Sequence, residues 1–175
     1  MTEAQLSNAM DAYGSTVYRL ALTRMQNIAD AEDVYQEVFL RLWKQAAEDW
    51  DGDRAKAWLI RTTLNRCADL HRFRLRRPVL SFAEILDLAQ PEDESRELWE
   101  AVSRLPEKAR TAVHLYYAEG YSAEEISQLM HIPAATVRTR LHRARKQLKE
   151  LLGGIDDETC VSRSDGTNFG PQRAE

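Results

Sequence analysis

The chain has 175 residues, 24 Lys and Arg against 28 Asp and Glu, a formal net charge of −4, and two cysteines, Cys67 and Cys160. That length allows one domain or two small ones. The acidic balance argues against simple polyanion binding, which needs Lys and Arg. Two distant cysteines exclude a disulfide-rich scaffold and a four-cysteine zinc site. No apolar run approaches the ~18 residues that a bilayer span needs, and the first residues lack a signal-peptide core. A soluble, cytoplasmic chain without membrane insertion is expected.

Apolar residues recur at helical spacing throughout, with no sustained period-two alternation, so an all-α fold is predicted. A first helix covers about Leu6 to Met25. A second starts at Asp30, taken as its N-cap, and runs to about Ala46. A loop rich in Asp and Gly follows, from Asp49 to Asp53. A third helix runs from about Arg54 to Arg76 and ends near Pro78, because the residue before a proline avoids the helical region. Residues 79–97 read as an acidic linker, with a short helix over 81–88 and renewed helical patterning from about Glu94. Pro106 then opens a helix to about Glu119, and Gly120 suits the left-handed residue that ends it. Ser122 caps a short helix, Ala123 to Met130, with Glu125 completing a capping box. Pro133 introduces the last helix, to about Leu152, which Gly153-Gly154 stops. Residues 153–175 are polar and without periodicity and read as a disordered tail. The expected architecture is two small helical domains, 1–78 and 98–152, joined by a flexible linker over 79–97, the C-terminal one containing a helix-turn-helix.

The mean charge hides strong segregation. Residues 54–78 hold 8 basic and 1 acidic side chains, and residues 101–152 hold 9 and 5. Residues 1–53 hold 4 and 10, residues 79–100 hold 1 and 7, and residues 153–175 hold 2 and 5. Basic blocks act within a screening length of their own surface, so two separate blocks suggest two polyanion-binding surfaces.

In the last helix Val137, Leu141, Ala144, Leu148 and Leu151 form one apolar stripe. The opposite side carries Arg138, Thr139, Arg140, His142, Arg143, Arg145, Lys146 and Lys149, with no carboxylate from 136 to 149. Thr139 and Arg143 suit base edges in a major groove. Arg138, Arg140, Arg145 and Lys146 suit phosphates. In the third helix Trp58, Arg61, Asn65, Asp69, Arg72 and Arg76 share a face, while Ile60, Leu64 and Cys67 point toward a core. An aromatic ring, amides and guanidinium groups together are the composition of a single-strand surface, although Trp58 fits core packing equally well. In the second helix Ala31, Val34, Tyr35, Val38 and Leu42 form a core stripe, leaving Asp33, Gln36, Glu37 and Leu40 on the other side. That polar face with one leucine suits a protein partner or plain solvent. No phosphate-cradling Gly-rich loop, His-Glu-x-x-His or Gly-x-Ser-x-Gly occurs. Cys67 and His71 lie four apart without an obvious third ligand, and His114 and His131 show no convergent partner. The chain is read as a non-enzyme, with no metal and no cofactor.

Three motifs in order resemble a known family. Asp30-Ala31-Glu32-Asp33 followed by Gln36-Glu37-Val38-Phe39 is the first. Ala57-Trp58-Leu59 followed by Asn65-Arg66 and Asp69 is the second. The third is Leu105-Pro106, Gly120-Tyr121-Ser122, Glu125-Ile126 and the run from Thr136 to Arg145. Together they resemble bacterial sigma factors of the extracytoplasmic-function group, over residues 7–78 and 94–152. The resemblance implies that Asp33, Gln36, Glu37 and Leu40 engage the clamp helices of the polymerase largest subunit. It implies that Trp58, Arg61, Asn65, Arg66, Asp69 and Arg72 open the −10 element, with Asn65 and the loop Asp51–Lys56 holding a flipped base. Arg138, Thr139, Arg140, His142, Arg143, Arg145 and Lys146 are then expected at the −35 element. The implied partners are RNA polymerase core, through its clamp helices and flap region, promoter DNA, and an anti-sigma factor. Two positions depart from the family pattern: Ala135 where glycine is usual and Ser127 where alanine is. An alanine at a position needing positive φ costs about 1 kcal/mol. The residues alone also fit a free-standing helix-turn-helix repressor or activator, or a helical scaffold with incidental basic patches.

Overall fold

Helix boundaries in the computed structural model follow from local caps. It describes residues 1–45, 52–74 and 93–153. Helix α1 spans Glu3–Met25 and begins in a capping box: the Gln5 amide donates to Thr2 Oγ1, and the Thr2 amide donates to Gln5 Oε1. It ends where Gln26 takes left-handed φ of 50°. Helix α2 spans Ile28–Lys44 and is capped by Asn27, whose side chain accepts from the Asp30 amide at 2.9 Å. The expected cap, Asp30, lies instead in the first turn and is buried. Its carboxylate still sits at the positive end of the helix dipole.

Helix α3 spans Gly52–Arg74. Residues 52 and 53, read from sequence as loop, and residues 54–56, set in a loop by the resemblance, thus belong to this helix. Helix α4 spans Asp93–Ser103, beginning inside the stretch read as linker. Helix α5, Glu107–Val113, follows Pro106 and passes directly into a π-helical turn, His114–Ala118. Gly120 has φ of 76°. Helix α6, Ala123–Met130, carries the expected capping box of Ser122 and Glu125. Helix α7, Ala134–Leu151, begins after Pro133. All described elements are helical. The short helix expected over 81–88, most of the linker and the tail beyond Gly153 lie outside the described residues.

Two apolar cores organise these helices. The first lies among α1, α2 and α3 and holds Val17, Ala21, Ala31, Val34, Val38, Leu42, Leu59 and Cys67. Here α1 and α2 approach closely at Gly14, where an added Cβ would stand 2.9 Å from the Tyr35 hydroxyl. The second holds Leu105, Leu115, Ile126, Leu129, Val137, Leu141 and Ala144 of the C-terminal unit, together with Leu20, Ile60 and Leu64 of the N-terminal unit. Helices α1 and α3 therefore bury two faces, one in their own core and one against the C-terminal unit. Of the stripe expected on α7, Val137, Leu141 and Ala144 are buried and Leu148 half-buried, but Leu151 is 36% exposed. The core it would join ends one turn earlier.

Candidate polymerase and nucleic-acid interfaces

Helix α2 turns its apolar stripe into the first core, so the intervening positions face outward. Asp33, Gln36, Glu37 and Leu40 line one shallow depression. Leu40 is 47% exposed, a large apolar side chain left in water among polar neighbours. Glu37 is held by Arg41 one turn on, at 3.0 Å. Arg66, grouped from sequence with the −10 residues, lines the same depression from α3. It is one residue past Asn65, and one residue of helix turns a side chain toward the neighbouring α2 face.

The outer face of α3 presents Arg61, Asn65 and Arg72 exposed, with Asp69 half-buried. Asp69 accepts from Arg72 at 3.4 Å, a pair that screens one cation. Trp58 is half-buried and packs against the first core. At the start of α3, Lys56 contacts Glu119 at 3.1 Å and stands over the Tyr121 ring, 5.3 Å from its centroid.

Helices α6 and α7 form the helix-turn-helix. The turn between them is made by His131, left-handed with φ of 51°, followed by the Ile132 amide donating to the Ser127 carbonyl at 3.1 Å. Positive φ occurs at Gln26 and His131 among the described non-glycine residues, so Ala135 lies in ordinary helix and needs no glycine. Ser127 is half-buried and its carbonyl accepts from the Ile132 amide. Thr139, His142, Arg143, Arg145 and Lys146 are exposed along α7, and Arg140 is half-buried. Arg138 reaches across to Glu124 of α6. Thr139 Oγ1 donates to the Ala135 carbonyl at 2.9 Å, which leaves its oxygen lone pairs outward.

Sequence reasoning missed the joint between the two units. Arg110, 6% exposed, donates to the carbonyls of Thr23 and Arg24 in the last turn of α1, and to those of Ser103 and Leu105. The last carbonyls of a helix lack helical partners and carry its negative dipole end, so one guanidinium satisfies both needs. Arg24 pairs with Glu107, and Gln26 Nε2 donates to the Ser103 carbonyl at 2.8 Å. His114, expected to have no partner, has Nδ1 3.2 Å from Thr23 Oγ1 and Nε2 3.8 Å from Glu119. Burial pushes its imidazole pKa down to about 4, against the smaller opposite pull of Glu119. The π turn makes this arrangement: its five-residue hydrogen bond, from the Glu119 amide to the His114 carbonyl, stacks those residues on one side. The same turn leaves Tyr116 and Tyr117 outside, with Leu98 and Trp99 of α4 also exposed.

Cys67 is buried, and desolvation pushes its thiol up to about 12. His71 faces Glu107 at 3.7 Å instead of Cys67. No group of three metal-ligating side chains comes together among the described residues. None of the described helices is long and apolar enough to cross a membrane.

These features define a helical protein with one acidic-apolar face on α2 and two basic faces on other helices. Residues 9–77 match the family model "Sigma-70 region 2", and residues 95–148 match "Sigma-70, region 4". The SigE extracytoplasmic-function sigma factor of Mycolicibacterium smegmatis is 34% identical over 161 residues, covering 86% of this chain and 62% of that relative. The chain spans 39% of another relative, the probable sigma factor RfaY of Xanthomonas campestris. The SigM sigma factor of Bacillus subtilis is 32% identical, covering 83% of this chain and 94% of its own. In fold, the chain is similar to CnrH in its complex with the cytosolic domain of CnrY, at TM-score 0.63, 27% identity and coverage of 89% and 92%. A second match is the Bartonella quintana sigma factor RpoE bound to the anti-sigma factor NepR, at TM-score 0.68, 22% identity and coverage of 85% and 97%. The chain belongs to the sigma-70 family, in its extracytoplasmic-function group.

Proposed function

We propose that this chain directs RNA polymerase core enzyme to specific promoters, reading the −35 element with α7 and opening the −10 element with α3. It acts as a transcription initiation factor in the cytoplasm, without catalysis of its own. The observation that supports the reading most is the convergence of Asp33, Gln36, Glu37 and Leu40 on one face of α2, bordered by Arg66 of α3. A polymerase subunit requires such a protein-docking face in addition to its DNA-reading ones. Residues 1–78 serve core binding and −10 melting, and 98–152 serve −35 recognition.

In this reading α2 docks on the polymerase clamp helices. Arg61, Asn65 and Arg72 hold the single strand, Trp58 supplies a partly exposed ring, and Arg66 braces the boundary between the DNA face and the clamp face. Thr139 and Arg143 contact bases while Arg140, His142, Arg145 and Lys146 flank them on phosphates. Exposed Leu98, Trp99, Tyr116 and Tyr117 offer an apolar surface for the polymerase flap. Control by an anti-sigma factor belongs to the same reading, and the relation to CnrH, found in complex with the cytosolic domain of CnrY, supports a protein partner.

The double substitution Gln36→Ala and Glu37→Ala tests the reading by titration of core polymerase. Affinity is expected to fall about tenfold, or ~1.4 kcal/mol, while salt-dependent binding to duplex DNA stays at the parent level. Unchanged polymerase affinity contradicts the reading.

A further inference from the structure

The depression on α2 holds a charge that its own chain does not satisfy. Asp33, Gln36, Glu37 and Leu40 line it from α2, and Arg66 enters from α3. A guanidinium set beside two carboxylates ordinarily pairs with one of them. Here it pairs with neither. Glu37 accepts from Arg41 on its own helix, at 3.0 Å. Among the described residues Arg66 makes no ion pair, and its Nε, shielded from water, has no hydrogen-bond partner. Cys67, the next residue, supplies no anion, because burial pushes its thiol up to about 12. A cation that has given up water without gaining a partner costs folding free energy, so its partner is to be sought outside the chain.

The surroundings decide what that partner is. Arg66 follows Asn65 directly, yet one residue of helix carries Asn65 to the exposed outer strip and Arg66 to the α2 side. A phosphate reaching Arg66 from the strip would come up against Asp33 and Glu37, and like charges repel. A nucleic-acid strand, charged at every phosphate, gains little there. A single carboxylate on a protein surface fits better. The guanidinium fork binds it through two parallel N–H groups. The Gln36 amide can donate to it, and exposed Leu40 takes apolar side chains beside it. Asp33 and Glu37 select a surface in which that acid stands among basic or polar neighbours.

We infer that Arg66 is a polymerase contact and not a DNA contact: its guanidinium receives a carboxylate from the polymerase surface that covers Gln36 and Leu40. This rests on the function proposed above and names the chemistry of the partner at that face.

The test titrates the full chain with purified core polymerase and, separately, with a mixed-sequence single-stranded oligonucleotide at low salt. Arg66→Gln is expected to weaken core binding about tenfold and to keep oligonucleotide affinity within about twofold of the parent. Arg61→Gln, on the outer strip, is expected to weaken the oligonucleotide about fivefold. Arg66→Lys keeps the charge without the fork and falls between parent and Arg66→Gln in core binding. Arg66→Glu reads the sign of the partner: it is expected to bind core about tenfold more weakly again than Arg66→Gln. Lys108→Gln makes the same charge change at an exposed residue of α5 and leaves both affinities at the parent level. An unpaired cation adds nothing to folding, so the urea midpoint of Arg66→Gln is expected to stay level or rise. A lowered midpoint, or loss of helical circular dichroism, makes Arg66 a structural residue and overturns the inference. Loss of oligonucleotide affinity with core binding unchanged returns Arg66 to the DNA face and overturns it too. Core binding stronger for Arg66→Glu than for Arg66→Gln means a basic partner, with the same consequence. Failure of the promoter reading looks different: Gln36→Ala with Glu37→Ala then leaves core affinity unchanged, whereas failure of this inference alone leaves that double variant weakened.

Discussion

Helices α3 and α7 each carry six Lys and Arg side chains, more than any other helix of their units, yet they are built oppositely. Helix α7 buries one narrow stripe and leaves its cations outward, the form of a helix that enters a groove. Helix α3 buries two faces and keeps a thin outer strip of Arg61, Asn65 and Arg72, with Trp58 half-sunk beside it. One helix is a probe and the other a wall. A probe tolerates substitution of exposed residues at little cost to folding; a wall couples its DNA face to the joint behind it.

The largest effect on that contrast is expected from Arg110→Ala. It removes a buried cation and strands four carbonyls, so the cost is about 3 kcal/mol, read as a lowered midpoint in urea with α7 helicity retained. A midpoint within error of the parent would remove Arg110 from its role as the joint's hub.

Acid comes next. His114 has its pKa lowered from 6.5 to about 4 by burial, with Glu119 and Arg19 as its charged neighbours. The folded chain therefore binds this proton less readily than the unfolded chain. Above pH 6.5 the group contributes no pH dependence, and between 6.5 and 4 stability falls, by up to about 3 kcal/mol in total. His114→Gln is expected to flatten that part of the stability profile relative to the parent. Parallel profiles for the two proteins would contradict the assignment.

On the probe side, Arg143→Ala is expected to weaken promoter-specific binding about tenfold, ~1.4 kcal/mol, with folding unchanged. Glu124→Ala should do least. Its pair with Arg138 is largely exposed, so the stability change stays below about 1 kcal/mol. Releasing Arg138 is expected to steepen the salt dependence of duplex binding, while an unchanged slope would mean that Arg138 never reaches phosphate.

The contrast also shows which features were legible in sequence. Local chemistry was readable: Ser122 and Glu125 announce their helix three residues apart, and Gly120 marks a turn that takes positive φ. Asn27 was missed as a cap because Asp30, three residues on, is an equally good one, and only the backbone shows which side chain accepts the amide. The π turn leaves no periodic signature, since one inserted residue shifts phase without changing composition. The outward face of α2 was visible as leftover positions, because the core stripe defined what remained. The joint was not visible, because Thr23 lies 87 residues from Arg110 and 91 from His114, and they meet only when the two units dock. Arg66 shows the same limit within one helix: its motif groups it with Asn65, while the packing of α2 against α3 sets it beside Gln36 and Leu40.

The account stands most directly on transcription from fragmented genomic DNA of the source, with purified core polymerase, with and without the full chain. New, discrete start sites that require both the chain and the polymerase are the predicted result. No new start sites, together with tight polymerase-free binding of a palindrome by a dimer of the chain, would contradict it.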